Sequence, residues 1–478
     1  MPSKSKAEKG QSSKTNLPAS GGSGRRFACP DGPRVSNYNE SFIIARATIM
    51  LNQFKSSNLK LLLFVFMILS ARNIKANGFG LPDQDAFSTA RGEAFVATAD
   101  NAAAIYYNPA GITQLTGNNL RGGLDSVYYE PSYRPPSGKP NSGQTYYSSD
   151  NFAFLPQLFY TYTPKDAPYS FGLGIYAPYG GKMNWPQNTG FRSLAISGSL
   201  KYITMNPVVA VKLLPSLSVA AGAMVNYGKI DMYQGLLPSA PRGVNFFDFA
   251  GHGWSFGYNA GILWQPLSQL SFGATFRSAA RLNFQGNTDF ELNPGPYNSP
   301  AQRDASAQFT FPLTTVFGVS YRPTQKWNIE LDANYTDWRS FGTVMIEQSS
   351  PVNNPLNQQI PVNLDWQASW MYELGATRYF DNGWHVSAGY VFNQNSVPNT
   401  YYAPLAADLD RNFLSLGIGY NGKHVALDIA YQAGFAFSHN VTGSNPSIDA
   451  IKETNLGNAN GTYGFSSQAI FVSAGIHF

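Results

Sequence analysis

Cysteine is nearly absent from this sequence: Cys29 is the only one in 478 residues. The chain after it can hold neither an internal disulfide framework nor a thiolate metal site, and it is compatible with an oxidising compartment. Charge is scarce as well, at 13% of residues against about 25% in an ordinary soluble domain. Beyond Ala76 no run of 18 apolar residues occurs, which excludes membrane-spanning helices. Aromatic residues, by contrast, reach 14%, and glycine numbers 45. Little charge with much Tyr, Phe and Gly leaves two classes: a membrane β-barrel, or an aromatic-rich soluble β protein. The length would permit two or three soluble domains, although a large barrel absorbs it as one unit.

The net charge of +5 is unevenly placed. Twelve of the 33 basic and three of the 28 acidic residues lie in Met1–Ala76, leaving 21 basic against 25 acidic residues for the remainder. The basic character therefore belongs to the leader, and nucleic acid is not expected as a partner. Lys55 and Lys60 precede the apolar run LLLFVFMILS, Leu61 to Ser70, which ARNIKA follows to Ala76. A charged start, an apolar core too short to anchor and a small final residue predict a signal peptide over 50–76. Ile74 is bulkier than such a cleavage site usually allows. Residues 1–49 are polar, rich in Ser, Gly and Lys, and read as disorder. Signal peptides do not normally follow such a tail, so translation is expected to begin at Met50, with 1–49 an extension of the gene model.

From Asn118 onward the pattern has period two. At the C-terminus Ile470, Val472, Ala474, Ile476 and Phe478 share one face, and Phe471, Ser473, Gly475 and His477 the other. Trp254, Phe256, Tyr258, Ala260, Ile262 and Trp264 alternate with Ser255, Gly257, Asn259 and Gly261. One face is apolar with aromatics at its ends; the other is small, polar or acidic. Lipid outside, a polar lumen inside and aromatic girdles at both interfaces would produce that distribution. Fourteen segments are expected, at 118–131, 151–163, 169–177, 197–213, 217–229, 252–264, 269–281, 307–321, 326–340, 366–380, 384–394, 411–420, 424–437 and 464–478. Short links such as Pro215-Ser216 and Asp381-Asn382-Gly383 alternate strictly with longer ones such as Ile230 to Gly251. Tight turns on one rim and long loops on the other predict a 14-stranded antiparallel transmembrane β-barrel over 118–478, with both termini in the periplasm.

The segment 77–117 shows no alternation, has about forty residues rich in Ala and Gly, and precedes the first strand. It is long enough to plug a lumen as wide as fourteen strands would leave. Its sequence, NGFGLPDQDAFSTARGEAFVATADNAAAIYYNPAGITQL, resembles the N-terminal hatch of the FadL family of outer-membrane transporters for long-chain fatty acids and hydrocarbons. The matching pieces are Gly78-Phe79, the small-residue run Ala97–Ala102, and Asn108-Pro109-Ala110. The likeness continues through FGLGIYAPYG (Phe171–Gly180), GYNAGILW (Gly257–Trp264), YTDWRSF (Tyr335–Phe341) and the aromatic C-terminus. It implies that Asn108, Pro109 and Ala110 lie inside the barrel, where a Pro-fixed turn would hold its shape without neighbours.

The resemblance further implies capture among the outer loops, a shift of the hatch, and lateral exit through a kinked third strand. In that strand Gly172, Gly174, Pro178, Gly180 and Gly181 crowd together, marking either a strand end or a break in the wall. Leu236, Leu237, Pro238, Phe246, Phe247 and Phe249 are apolar at expected outer-loop positions; they suit a capture groove, or loops packed on one another. Alternation points Arg277, Glu330, Asp332, Glu373 and Asp428 into the lumen as a charge network, and Arg277 is a candidate for holding a carboxylate head group. The expected partners are hydrophobic small molecules, outer-membrane lipids and the barrel-assembly machinery, around a monomer. A general diffusion porin is the competing function. The five histidines, His252, His385, His424, His439 and His477, lack metal or triad spacing, so no enzyme, metal or cofactor is expected.

Overall fold

The computed structural model describes residues 78–478 except 140, 150, 237–242, 293–296, 350–357 and 446–456. The signal peptide, its cleavage point, the Met50 start, Asn77, Leu237 and Pro238 lie outside the described residues.

Hydrocarbon cannot hydrogen-bond a peptide group, so a sheet within it has to pair every edge. This sheet does so by closing into a 14-stranded antiparallel barrel. In chain order the strands are β1 Gly117–Arg134, β2 Phe152–Thr163, β3 Tyr169–Tyr176 resuming at Gly180–Asn184, β4 Ser197–Leu214, β5 Leu217–Gly235, β6 Phe246–Leu267, and β7 Leu270–Arg277 resuming at Ala280–Leu292. They continue with β8 Tyr297–Phe311 resuming at Thr314–Thr324, β9 Trp327–Thr336 resuming at Thr343–Gln348, and β10 Gln359–Asn363 resuming at Ser369–Tyr379. The last four are β11 Trp384–Asn393, β12 Arg411–Asn421, β13 Val425–Val441 and β14 Gly461–His477. Each strand pairs with the next, and β14 closes on β1 from Asn119↔His477 to Arg134↔Thr462.

All fourteen expected segments are strands, and the faces are as the alternation requires. Along β6, Trp254, Phe256 and Tyr258 are exposed while Ser255 and Asn259 are buried. The long connections were misjudged in extent. Much of what reads as loop around 230–251 and 282–306 is strand, because β5, β6, β7 and β8 run well past the apolar band before they turn. Inward side chains of these extensions, including Phe247, Phe249, Phe284 and Phe309, build a second core at the extracellular end, joined by Trp338 from the interruption of β9.

Residues 78–116 fill the bore. Helix α1 (Ala86–Ala90), helix α2 (Ala104–Tyr107) and a 3-10 turn at Pro109–Gln114 are each a turn or so long. Such short helices have little intrinsic stability; Phe87, Phe95, Ile105, Tyr106 and Tyr107 pack instead against Phe159, Val208 and Leu263 of the wall. The wall makes room with glycine. A β-carbon at Gly273 would overlap the Val96 carbonyl, one at Gly375 the Arg91 carbonyl, and one at Gly389 the Gly92 amide. Gly92 itself has φ +60°, the left-handed region that favours glycine.

Tyr258 lies near the middle of the lipid-facing band and is 61% exposed to that phase. Tyr258→Arg is expected to lower the unfolding free energy in lipid vesicles by about 2–4 kcal/mol. An unchanged denaturant midpoint would mean that this face does not meet hydrocarbon.

Candidate functional site: the lumen and its plug

Acidic side chains of the wall grip the plug by its backbone. Asp332 Oδ2 on β9 accepts from the amides of Phe95 and Val96 at 2.8 and 2.9 Å. Two positions away on the same face, Glu330 accepts from the Ala97 and Thr98 amides at 2.6 and 3.2 Å, and from the Thr98 hydroxyl. Glu330 also pairs with Arg91 of the plug at 3.2 Å. Arg91 is fully buried and lies between the Phe87 and Phe95 rings, at 5.5 and 5.9 Å from their centroids. Those ring faces attract the cation where water cannot reach it.

A second anchor joins β1, β13 and the plug. Arg121 is held between Asp85 at 2.5 Å and Asp428 at 2.7 Å, and His385 reaches Asp428 at 2.8 Å. The expected network thus exists around Glu330, Asp332 and Asp428, and its main partner is the plug. Glu373 sits across the register from Asp332, buried and without an ion pair among the described residues. Sequence reading missed Arg121, although its inward position on an alternating strand was visible. Asp85 and Arg91 lie where there is no alternation to orient them.

Asn108, Pro109 and Ala110 are buried in the bore. Asn108 accepts from the Ala110 amide at 3.2 Å, and its own amide donates to Val96 O at 2.8 Å and Ile262 O on β6 at 2.9 Å. The turn is therefore not self-sufficient, as the Pro-fixed reading supposed: the motif is pinned to both plug and wall.

The third strand is interrupted. β3 stops at Tyr176 and resumes at Gly180, and over the interval it pairs with the plug: Leu81 N donates to Pro178 O at 2.9 Å and Gly180 N to Phe79 O at 3.1 Å. Pairing between β2 and β3 ends at Leu158↔Ile175. The sides meet again where Ser149 N donates to Asn184 O at 2.8 Å, so a window in the wall lies between those two contacts. Tyr129 Oη donates to Lys182 O at 2.5 Å behind it. Of the residues singled out earlier, Pro178, Gly180 and Gly181 lie at this break. Gly172 and Gly174 do not; there the wall narrows so that Ile105 of the plug can approach.

Two cavities reach the break. The upper one, about 930 Å³ including its mouth, is lined by Leu194, Leu200, Met232, Phe309, Phe341 and Trp366, among others. The lower, about 1100 Å³, is lined by Gly80, Leu81, Val127, Leu155, Met183 and Phe471, among others. Phe79 of the plug, Gly181, Leu405 and Ala406 border both. Phe79 packs on Trp366 with ring centroids 5.3 Å apart. The connection between β11 and β12 folds inward to this point, and its Asp408 accepts from Gly78 N at 3.0 Å and is bridged by Arg411 at 2.7 Å.

The proposed outer-loop residues need correction. Leu236, Phe247 and Phe249 are buried in the extracellular-end core rather than facing solvent, and Phe246, Phe247 and Phe249 belong to β6 rather than to a loop. Arg277 lines a third, more polar pocket with Tyr106, Tyr176, Tyr179 and Asn226. Its guanidinium stacks 4.0 Å over the Tyr106 ring and donates to the Tyr106 carbonyl. A serine-nucleophile pattern, Gly253-Trp254-Ser255-Phe256-Gly257, falls inside β6; Ser255 there accepts from Asn226 at 3.3 Å, and no turn exposes it.

A closed barrel with an aromatic-edged lipid face, a fixed internal plug and apolar cavities leading to a wall break is an outer-membrane protein built for passage of solutes. The family model described as outer membrane protein transport protein (OMPP1/FadL/TodX) matches residues 67–474, and the chain belongs to that family. The long-chain fatty acid transport protein of Escherichia coli O6:H1 is 24% identical over 377 residues, 72% of this chain and 82% of that protein. A FadL homologue of Pseudomonas aeruginosa superposes with a TM-score of 0.71 at 18% identity, covering 84% of this chain and 99% of the other. The toluene transporter TodX of Pseudomonas putida superposes at 0.62 and 17% identity, covering 85% and 99%.

Removing a wall carboxylate leaves buried plug amides unpaired, at about 1–3 kcal/mol each. The double variant Glu330→Ala, Asp332→Ala is expected to turn a closed planar-bilayer record into flickering current. A record as quiet as that of the unaltered protein would refute the anchoring role. Within the plug, burial and the facing Asp83 charge push the Glu93 carboxyl well above the usual range, while Tyr107 Oη donates to it at 2.6 Å. A carboxyl raised in this way favours the docked state below its ordinary pKa, and that contribution is lost as pH climbs through the raised value. Hydrogen exchange over 83–96, corrected for intrinsic rates, should therefore quicken as pH rises, and Glu93→Gln should flatten the dependence. A wild-type profile already flat would exclude it.

Proposed function

We propose that the chain carries hydrophobic compounds, long-chain fatty acids or hydrocarbons, across the outer membrane without energy input. The observation that carries this reading is the run of two apolar cavities, parted by Phe79, from the extracellular half of the lumen to the window between β2 and β3. A solute gains roughly 0.8 kcal/mol for each CH₂ that leaves water, so an apolar path ending in lipid is favoured over a wet axial pore. The names of the relatives, a fatty acid transporter and a toluene transporter, support the substrate class.

Capture takes place in the upper cavity. The plug then moves Phe79 aside, and the solute leaves beside Gly180 and Gly181. Residues 50–76 direct export, 77–117 serve as the hatch, and the barrel-assembly machinery inserts 118–478 as a monomer. Arg277 receives a carboxylate head group in the pocket it shares with Gly80, Leu81 and Pro82 once the plug's leading end has withdrawn. The porin reading is disfavoured by the filled bore, and the protein is not an enzyme in this reading.

Gly181 offers the sharpest test, because a β-carbon there would meet only Phe79 at 3.9 Å. Gly181→Leu should fold normally and cut uptake of labelled oleate and toluene about tenfold, equivalent to about 1.4 kcal/mol of barrier. In the same panel Arg277→Ala should weaken oleate uptake alone. Undiminished uptake in Gly181→Leu would sink the route, and equal or no loss in Arg277→Ala would sink the head-group role.

A further inference from the structure

Three neighbouring strands carry a basic side chain at one boundary of the lipid-facing wall. The outward residues of β4 are apolar from Ile203 to Leu213, those of β5 from Leu217 to Tyr227, and those of β6 from Trp254 to Trp264. With a rise of about 3.3 Å per residue and a tilt of about 40°, each band covers roughly 25 Å, the height of an outer-membrane apolar belt. On the side of the long connections, the first outward residue past each band is Lys201, Lys229 or His252, and all three are exposed. The register sets Lys201 directly opposite Lys229, and Lys229 opposite His252. Like charges placed so destabilise a sheet unless something lies between them. Among the described residues neither lysine has a carboxylate at ion-pair distance; the nearest acid on that face of β5, Asp231, stands two residues farther out.

Just beneath this row the Tyr227 and Trp254 rings pack with centroids 4.9 Å apart, the aromatic pair that marks the edge of the hydrocarbon. At the seam of β1 and β14 the corresponding boundary carries no charge: Tyr128 faces Gln468. We propose that Lys201, Lys229 and His252 form a docking site for the phosphate groups of an outer-leaflet glycolipid whose acyl chains lie along the apolar band below. The location selects a lipid over a dissolved anion, because the cations border hydrocarbon that only an acylated ligand can fill. Lys201 also pairs in register with Gly180, so the docked lipid stands beside the wall window.

The test is native mass spectrometry of the detergent-solubilised full barrel with an acylated glucosamine disaccharide bisphosphate. K201Q/K229Q should retain this lipid about tenfold less than the unaltered protein, and K201R/K229R should retain it fully. The same lipid stripped of phosphate should bind the unaltered protein no better than the bisphosphate binds the glutamine variant, and millimolar inorganic phosphate should not displace the bound lipid. Equal retention by the glutamine variant, equal retention of the phosphate-free lipid, or displacement by inorganic phosphate would each overturn the proposal. Heat-modifiable gel mobility verifies folding. If the glutamine variant misfolds, a salt titration of the unaltered protein decides: retention has to fall as ionic strength rises, and retention independent of salt refutes the site.

Discussion

A sheet in hydrocarbon has no solvent for its edges, and this one constraint shapes the rest of the protein. Closure with fourteen strands pairs the edges but leaves a bore too wide for wall side chains to fill. The bore is filled by 39 residues of the same chain, 78–116, which bring their own unpaired amides with them. Those amides are met by carboxylates that point inward because strand alternation points them inward. Glu330 and Asp332 thus belong to the wall by sequence position and to the plug by bonding.

Such a joint differs from a hydrophobic core in what it permits. Dispersion contacts weaken gradually as groups separate, whereas a buried carboxylate with several donors loses much at once when the donors withdraw. The plug is held by both kinds of contact, unevenly distributed. Its middle, from Asp85 to Thr98, carries the charged anchors, and from Arg91 to Ala97 it runs against wall glycines that allow backbone contact. Its leading end, Gly78 to Leu81, is tied to Asp408 by one hydrogen bond and to the interrupted strand by two. In the proposed passage the leading end is therefore the part that moves while the middle stays in place, and that end is where Phe79 divides the two cavities.

The strands were legible because alternation is a property of consecutive residues. All fourteen were visible, together with the inward direction of Glu330, Asp332 and Asp428, and so was the crowding of Pro178, Gly180 and Gly181 at the break. What was not legible depends on where chain segments meet. Phe247 and Phe249 read as loop because the apolar band had ended, yet β6 continues past the membrane and turns both inward. Gly172 and Gly174 read as part of the kink, although their smallness answers to Ile105, some seventy residues earlier. Asp408 lies in a stretch without period, and its importance appears only once the chain brings Gly78 beside it.

Two cavities parted by an aromatic ring impose an order of events. A solute in the upper cavity touches Phe79, Trp366 and the inward-folded connection at Tyr401–Ala406, the same groups that fix the leading end of the plug. Any ligand that packs better with Phe79 displaced therefore shifts the plug by its own differential affinity, and no separate signal is required. The connection that carries Asp408 is also the upper cavity's lining, so filling the cavity and releasing Gly78 act on one element. Coupling between arrival and opening then follows from shared residues. The strength of that coupling is set by how much more apolar contact the ligand makes in the open arrangement than the Phe79–Trp366 pair gives up.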